Sequence, residues 1–474
     1  MGLRDIFILA GILILLRVIP NRRVRHYALL VCGAVFVFTF QPTLPIREAD
    51  FMLPLLTVGI TVIVYASFTE RDALTSKDNL IDAAVIFGTL ILLCLTRFTE
   101  LDSVLTASRP PMLRKTLPAV LILAGLACLA GAKKSTPRKH LLGGLTVLIL
   151  AILAVLKAPA LSLLCSRLLR SVNGQSAENA LSTDLRWFGF SYIAFRLLSA
   201  LIDARKGRKI TAGLGAFFIY VCFPPALSAG PIDRWDRFTK EYTAGPKNAV
   251  GDDLREGLLL IAHGLFYKFI LADALALCAL SATNAGQFIH TGWAWAALFA
   301  YALQIYFDFC GYSEIAVGLG RFIGITLPKN FDRPYLKPDL TKFWSSWHIT
   351  LTQWIRSYVF NPLTRALRAN REHPLPQWLI VLITQLVTML LIGLWHGVSI
   401  NFIIWGLWHG IGLFVHQLWS RHTGAKLREC SPTVQKIWTV VGTCLTVLYV
   451  TLGWVWFVTP DFNTALAFFG RLFA

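Results

Sequence analysis

Residues 379–397 read LIVLITQLVTMLLIGLWHG, a stretch without a single Asp, Glu, Lys or Arg. A helix rises ~1.5 Å per residue, so about 20 apolar residues cross a hydrocarbon core of ~30 Å. In lipid the backbone has to satisfy its own hydrogen bonds, and for such a segment that means a helix. The run ends on an ionisable group, His396, inside Gly393-Leu394-Trp395-His396-Gly397.

Comparable apolar runs lie to both sides. Towards the N-terminus they are Phe7–Ile19, 27–44, 51–67, 80–97, 117–131, 141–165, 187–203, 211–229, 254–280 and 291–308; after it come 401–419 and 435–458. With 377–397 they predict an all-α, polytopic membrane protein of about 11–13 transmembrane helices, some runs splitting or failing to cross. Composition agrees. Apolar residues make up 55% of the 474 and charged residues 15%, where soluble domains carry about 25% charge. A secreted, disordered or cytosolic chain is excluded. The first run lacks a cleavage motif and is followed by Asn21-Arg22-Arg23-Val24-Arg25, which reads as a retained first helix.

The net charge of +19 sits mostly in short connections, as in cytoplasmic loops facing anionic headgroups, and does not point to nucleic acid. Lys133, Lys134, Arg138 and Lys139 mark one such loop, and Arg205, Lys206, Arg208 and Lys209 another. The nine cysteines (Cys32, Cys94, Cys128, Cys165, Cys222, Cys278, Cys310, Cys430, Cys444) show no metal-ligand spacing and read as small apolar residues.

Arg321–Arg371 is different: long, aromatic and basic, with Lys329, Arg333, Lys337, Lys342, Arg356, Arg365 and Arg368 inside it. Trp347, Leu351, Trp354 and Tyr358 fall at helical spacing, with His348, Thr352 and Arg356 on another face. A re-entrant or amphipathic helix lining a cavity floor is one reading, a surface-lying loop the other.

Four features carry candidate chemistry. An imidazole in a membrane helix is costly unless it is paired or faces a polar cavity. His396 therefore reads as a general base, a structural hydrogen-bonding group or part of an ion path. His409 stands in a second such element, Trp405-Gly406-Leu407-Trp408-His409-Gly410, too far from His396 for a zinc helix; His416 reads as interfacial. His348 matters if the insertion folds back under His396. Asp308 and Glu314 need partners, with Arg321 expected as one, in a structural ionic network, a proton relay or a substrate contact. The segment 223–234, with Pro224-Pro225 and Gly230-Pro231, predicts an abrupt end to its span.

Taken in order, FPPALSAGPIDRW (223–235), GLFYKFILAD (264–273), QIYFDFCGYSEIAVGLGRFIGITLPKNFDRPYL (304–336) with FWSSWHITLTQWIRSYVFNPL (343–363), and GLWHG with WGLWHG (393–410) resemble the membrane-bound O-acyltransferase family, in its bacterial branch of alginate O-acetylation and teichoic acid D-alanylation. The resemblance implies a core over 141–474, with variable N-terminal helices over 1–140 and a ring of helices around a central tunnel. It implies His396 as the catalytic intramembrane histidine and His348 as the second. Trp347, Trp395, His409, Asp308 and Glu314 are then tunnel-lining or structural. Arg356, Lys342 and Arg333 would attract the phosphates of coenzyme A or of a carrier protein's phosphopantetheine arm.

The implied function is transfer of an acyl group, acetyl first, from a cytoplasmic thioester to a hydroxyl of an extracytoplasmic polysaccharide. No bound cofactor or metal is expected. The implied partners are the thioester donor or its carrier, the glycan, membrane lipid and an extracytoplasmic protein that completes the transfer; the implied place is a bacterial inner membrane. D-alanyl transfer to teichoic acid, a transporter and a silent scaffold are the alternatives. Ser345-Ser346 replace the family's usual arginines, Ser357 its acid, and Trp454–Val458 lacks its arginine, which implies an altered donor or partner surface.

Overall fold

The computed structural model describes residues 2–132, 135–208, 212–246, 249–369 and 374–474; Lys133, Lys134, Lys209 and Arg371 of the basic segments lie outside them. Every regular element among the described residues is helical. Among the described residues seven helices are long and apolar enough to cross a bilayer: Ala49–Phe68, Lys77–Phe98, Leu113–Ala132, Arg138–Lys157, Val250–Ala276, Gln377–His396 and Pro432–Val458. The protein is an all-α, polytopic membrane protein.

Several runs differ from their sequence outlines for local reasons. The run 141–165 breaks at Ala158, because Pro159 at the first position of the Pro159–Val172 helix has no amide to continue the preceding one. The run 211–229 holds only the short Leu214–Val221 helix, ended by Pro224 and Pro225. The carbonyls left there are taken up by the buried Arg196, whose guanidinium donates to Val221 O at 2.8 Å and Ala226 O at 2.6 Å. Conversely, 291–308 continues to Phe322 and 401–419 to Glu429.

The chain forms two compact units. One comprises Met1–Ile261 with Ile315–Leu327, the other Ala262–Glu314 with Pro328–Ala474. In the first, Asp253 is buried between Arg17 at 3.0 Å and Arg321 at 3.6 Å, and Arg321 also reaches Glu256 at 3.0 Å. A buried carboxylate keeps its charge only with such partners. Arg321 is thus committed to Asp253 and Glu256, not to Asp308 or Glu314. It shares one helix with those two acids, 13 and 7 residues further along, and at ~1.5 Å per residue they are out of side-chain reach.

The second unit holds every candidate catalytic histidine. Gln377–His396 and Ile400–Glu429 form a tight helical hairpin whose contact is made by glycines. A Cβ at Gly393 would stand 2.3 Å from Phe402 O, one at Gly406 2.8 Å from Met389 O, and one at Gly410 3.1 Å from Leu386 Cα. Small residues allow helix backbones to approach this closely in lipid, where apolar burial does not drive association. The hairpin places His396 at its turn, with Ser399 capping the returning helix at Phe402 N.

Candidate functional site

The insertion between the Thr291–Phe322 and Gln377–His396 helices is a series of short pieces: Leu340–Trp344, Ile349–Ile355, a π-helical turn Arg356–Phe360, and Asn361–Ala369. The helical spacing of Trp347, Leu351, Trp354 and Tyr358 is therefore broken at its start. His348 has φ 44° and ψ 53°, a left-handed conformation that a non-glycine residue adopts only when its surroundings hold it there. The two part company: His348 turns into the interior, 4% exposed, while Arg356, expected on its face, is exposed.

Asn330, which sequence reading did not single out, holds His348. Its carbonyl oxygen on the main chain accepts from Ile349 N at 2.8 Å. Its Oδ1 accepts from Thr350 N at 3.3 Å and Thr350 Oγ1 at 2.8 Å, and Nδ2 donates to Ser313 Oγ at 3.2 Å. A backbone N–H can only donate, so the atom facing Thr350 N is the amide oxygen. His348 Nδ1 lies 3.1 Å from that same oxygen, so Nδ1 carries the proton and Nε2 bears the lone pair. Burial first, and the charge of His396 second, push the His348 imidazole down to about 3, so it is neutral at ordinary pH. The only sequence signal for Asn330 was its place in Leu327-Pro328-Lys329-Asn330-Phe331.

His396 is half-buried at the hairpin turn. It lies edge-on to Trp395 (4.7 Å between ring centres), Trp405 (5.7 Å) and Phe457 (4.8 Å), with Phe402 stacked at 6.0 Å. Trp395 also stands 6.2 Å from the His348 ring, and Phe309 meets His348 edge-on at 4.7 Å. The two histidines foreseen as a pair are thus brought to one indole. Trp347 is buried 5.7 Å from Phe343, their rings stacked, and 5.2 Å from Trp454.

His409 is fully buried in an aromatic enclosure of Trp344, Trp405, Tyr449 and Trp454, and neither ring nitrogen has a hydrogen-bond partner among the described residues. It contacts Trp405, the neighbour of His396, but not His396 itself among the described ring contacts. His416 is partly exposed beside Thr341 Oγ1 at 3.1 Å, with Asp339 at 3.9 Å.

The acids take different partners from those expected. Asp308 is half exposed and accepts from Lys268 Nζ at 2.5 Å, within a π-helical turn, Tyr267–Ala272. Gly311 admits that turn closely, since a Cβ there would stand 2.8 Å from Lys268 N. Glu314 is half-buried, and His263 and Lys329 are the basic residues whose electrostatic influence reaches it. Of the residues expected to meet donor phosphates, Arg333 and Arg356 are exposed with no ion pair among the described residues, whereas Lys342 pairs with its own helix cap, Asp339, at 3.3 Å. Cys310 is buried. Among the described residues no group of three or more His, Cys, Asp or Glu is arranged to hold a metal ion.

The model of the membrane-bound O-acyltransferase family matches residues 144–452. A probable alginate O-acetylase of Pseudomonas fluorescens is 34% identical over 287 residues, 60% of this chain and 54% of that protein. A peptidoglycan O-acetyltransferase of Helicobacter pylori is 34% identical over 251 residues, 53% of this chain and 45% of that protein. A teichoic acid D-alanyltransferase of Streptococcus thermophilus is 30% identical over 249 residues, 51% of this chain and 60% of that protein. The matched stretch thus spans between 45% and 60% of the length of these relatives. Asn330, His348, His396 and His409 all lie inside the family match, and the chain belongs to the membrane-bound O-acyltransferase family.

Proposed function

We propose that the protein transfers an acyl group, acetyl in the first instance, from a cytoplasmic thioester to a hydroxyl of an extracytoplasmic polysaccharide at a bacterial inner membrane. The observation that carries this reading is the convergence of a half-buried His396 and a buried, neutral His348 on one indole, inside the family-matched segment. His396 takes the proton of the acceptor hydroxyl as its oxygen attacks the thioester carbonyl. The tetrahedral intermediate collapses, the C–S bond breaks, and the thiolate leaves with the proton that His396 returns. The products are an ester and a free thiol. General-base help of this kind is worth roughly 10²–10⁴-fold. His348, its Nδ1 proton fixed by Asn330, offers the Nε2 lone pair and orients the acceptor. Arg356 and Arg333, exposed and unpaired, meet the donor's phosphates.

The acetyl reading is supported by the similarity to O-acetylases, and D-alanyl, supported by the similarity to the D-alanyltransferase, is the alternative that the experiment separates. Purified protein given a labelled acetyl thioester and a polysaccharide acceptor is expected to form labelled ester, and His396→Ala to form none while eluting as the folded protein does. Transfer undiminished in that variant removes the assigned base. Transfer of D-alanyl but not acetyl reassigns the donor.

A further inference from the structure

The first unit contains a cavity of about 490 Å³ that plays no part in the chemistry above. It lies at the C-terminal end of the Ala49–Phe68 span and the N-terminal end of the Arg138–Lys157 span, so it sits at the edge of the bilayer. Among the described residues four cations line it, Arg138, Lys139, Arg205 and Arg208, against one carboxylate, Glu70. Two of the four are engaged. Arg138 donates to Thr69 O at 2.9 Å and so closes the end of the Ala49–Phe68 helix, and Arg208 pairs with Asp203 at 3.3 Å. Lys139 and Arg205 have no ion pair or hydrogen bond among the described residues. The Arg205 guanidinium reaches across to the facing helix, where a Cβ on Gly143 would stand 3.8 Å from Nη1. Two cations at a cavity whose one lining carboxylate, Glu70, makes no ion pair with either of them suit an anion.

The rest of the lining says which kind. Phe68 and Leu142 give the cavity an apolar side. Beyond Leu142 the same helix presents Val147, Leu148 and Leu150, each about half exposed or more, along its outer surface. A ligand with a charged head in the cavity thus has exposed apolar helix surface nearby for its tail.

We propose that this cavity binds a phosphate ester, and specifically the headgroup of an anionic phospholipid, with Lys139 and Arg205 as its principal contacts and the acyl chains lying along Val147–Leu150. Basic recesses between helix ends are suited to this, because Lys and Arg near the membrane surface attract anionic headgroups. Most of the wall, residues 65–73 and 138–142, precedes Gly144, where the family match begins. The site therefore joins the helices before the family match, which supply Lys139, to the family-matched segment, which supplies Arg205.

The experiment is native mass spectrometry of the full chain in detergent, given equal amounts of phosphatidylglycerol and phosphatidylcholine. A preferential phosphatidylglycerol adduct is expected. Lys139→Gln with Arg205→Gln should weaken it at least tenfold. Arg205→Lys should keep it, and so should Arg421→Gln with Lys436→Gln, which removes the same charge from exposed positions elsewhere. A parallel titration with ADP tests a soluble phosphate source. ADP binding that the double variant loses, without a lipid preference, keeps the phosphate site and moves its source to a soluble ester. Equal retention of both lipids with no ADP binding, or equal loss in the control pair, overturns the proposal. Both lining residues are exposed, so their variants are expected to remain monodisperse, and size-exclusion elution is the check.

Discussion

At the scale of single residues the site depends on one amide. Asn330 decides which nitrogen of His348 holds the proton, and it does so while closing the N-terminal amides of the Ile349–Ile355 helix. Replacing it with alanine keeps the main-chain bond to Ile349 N but removes the acceptor that the buried imidazole, the Thr350 amide and the Thr350 hydroxyl share. Asn330→Ala is expected to cost about 1–3 kcal/mol of stability and to lower kcat with little change in KM, because orientation and not substrate affinity is lost. A folded variant with unaltered kcat would exclude His348 from the reaction. Asn330→Asp tests the electrostatics. A carboxylate beside the ring favours the imidazolium and raises its pKa from about 3. The neutral form then disappears at higher pH, so the acid limb of the kcat/KM profile should move upward in pH. The sign for stability follows the same logic. In the wild type folding holds the ring neutral, so its contribution is complete above the ordinary value of 6.5 and is lost as pH falls towards about 3. Arg356 makes a separate prediction: with no internal partner, Arg356→Gln should raise the KM for the thioester more than it lowers kcat, measured by initial rates over donor concentration.

At the scale of elements, the glycines that join Gln377–His396 to Ile400–Glu429 hold His396 in place. A methyl at Gly406 would meet main-chain atoms of Met389 and Leu390, and a helix backbone cannot yield as a side chain can. Gly406→Ala is expected to lose roughly 1–3 kcal/mol, seen as a lower thermal midpoint in detergent, together with most activity. Gly144→Ala, with nothing within 4 Å of the added carbon, should be neutral or slightly stabilising, since alanine is the better helix former. Equal midpoints for the two variants would mean that the hairpin is not glycine-packed. Sequence periodicity could show that residues 377–397 make a helix, but not which glycines would touch. It also misread the insertion, because a period assumes one continuous helix and His348 interrupts it with a left-handed residue.

At the scale of the whole molecule, the two basic segments that charge asymmetry assigns to the cytoplasm meet at one cavity, Arg138 and Lys139 on one wall and Arg205 and Arg208 on another. They therefore lie on the same side of the membrane. In a cysteine-free background, Lys139→Cys and Arg208→Cys should both be protected from an impermeant maleimide in intact cells and both react after lysis. Opposite behaviour of the two would break the shared-side assignment, and labelling of both in intact cells would invert the topology.

The amino-acid sequence alone determined the class of the fold and the family, and it singled out the two histidines that the fold brings to one indole. Apolar runs of bilayer length admit only helices, and an ionisable group at the end of such a run is too costly to be incidental. Tertiary structure alone decided that His348 points inward, that Asn330 sets its tautomer, that Arg321 serves Asp253 and Glu256, and that Lys268 serves Asp308. These are contacts between residues distant in the chain or held by an uncommon backbone conformation, and no local pattern of hydrophobicity encodes which side chains a fold will bring together.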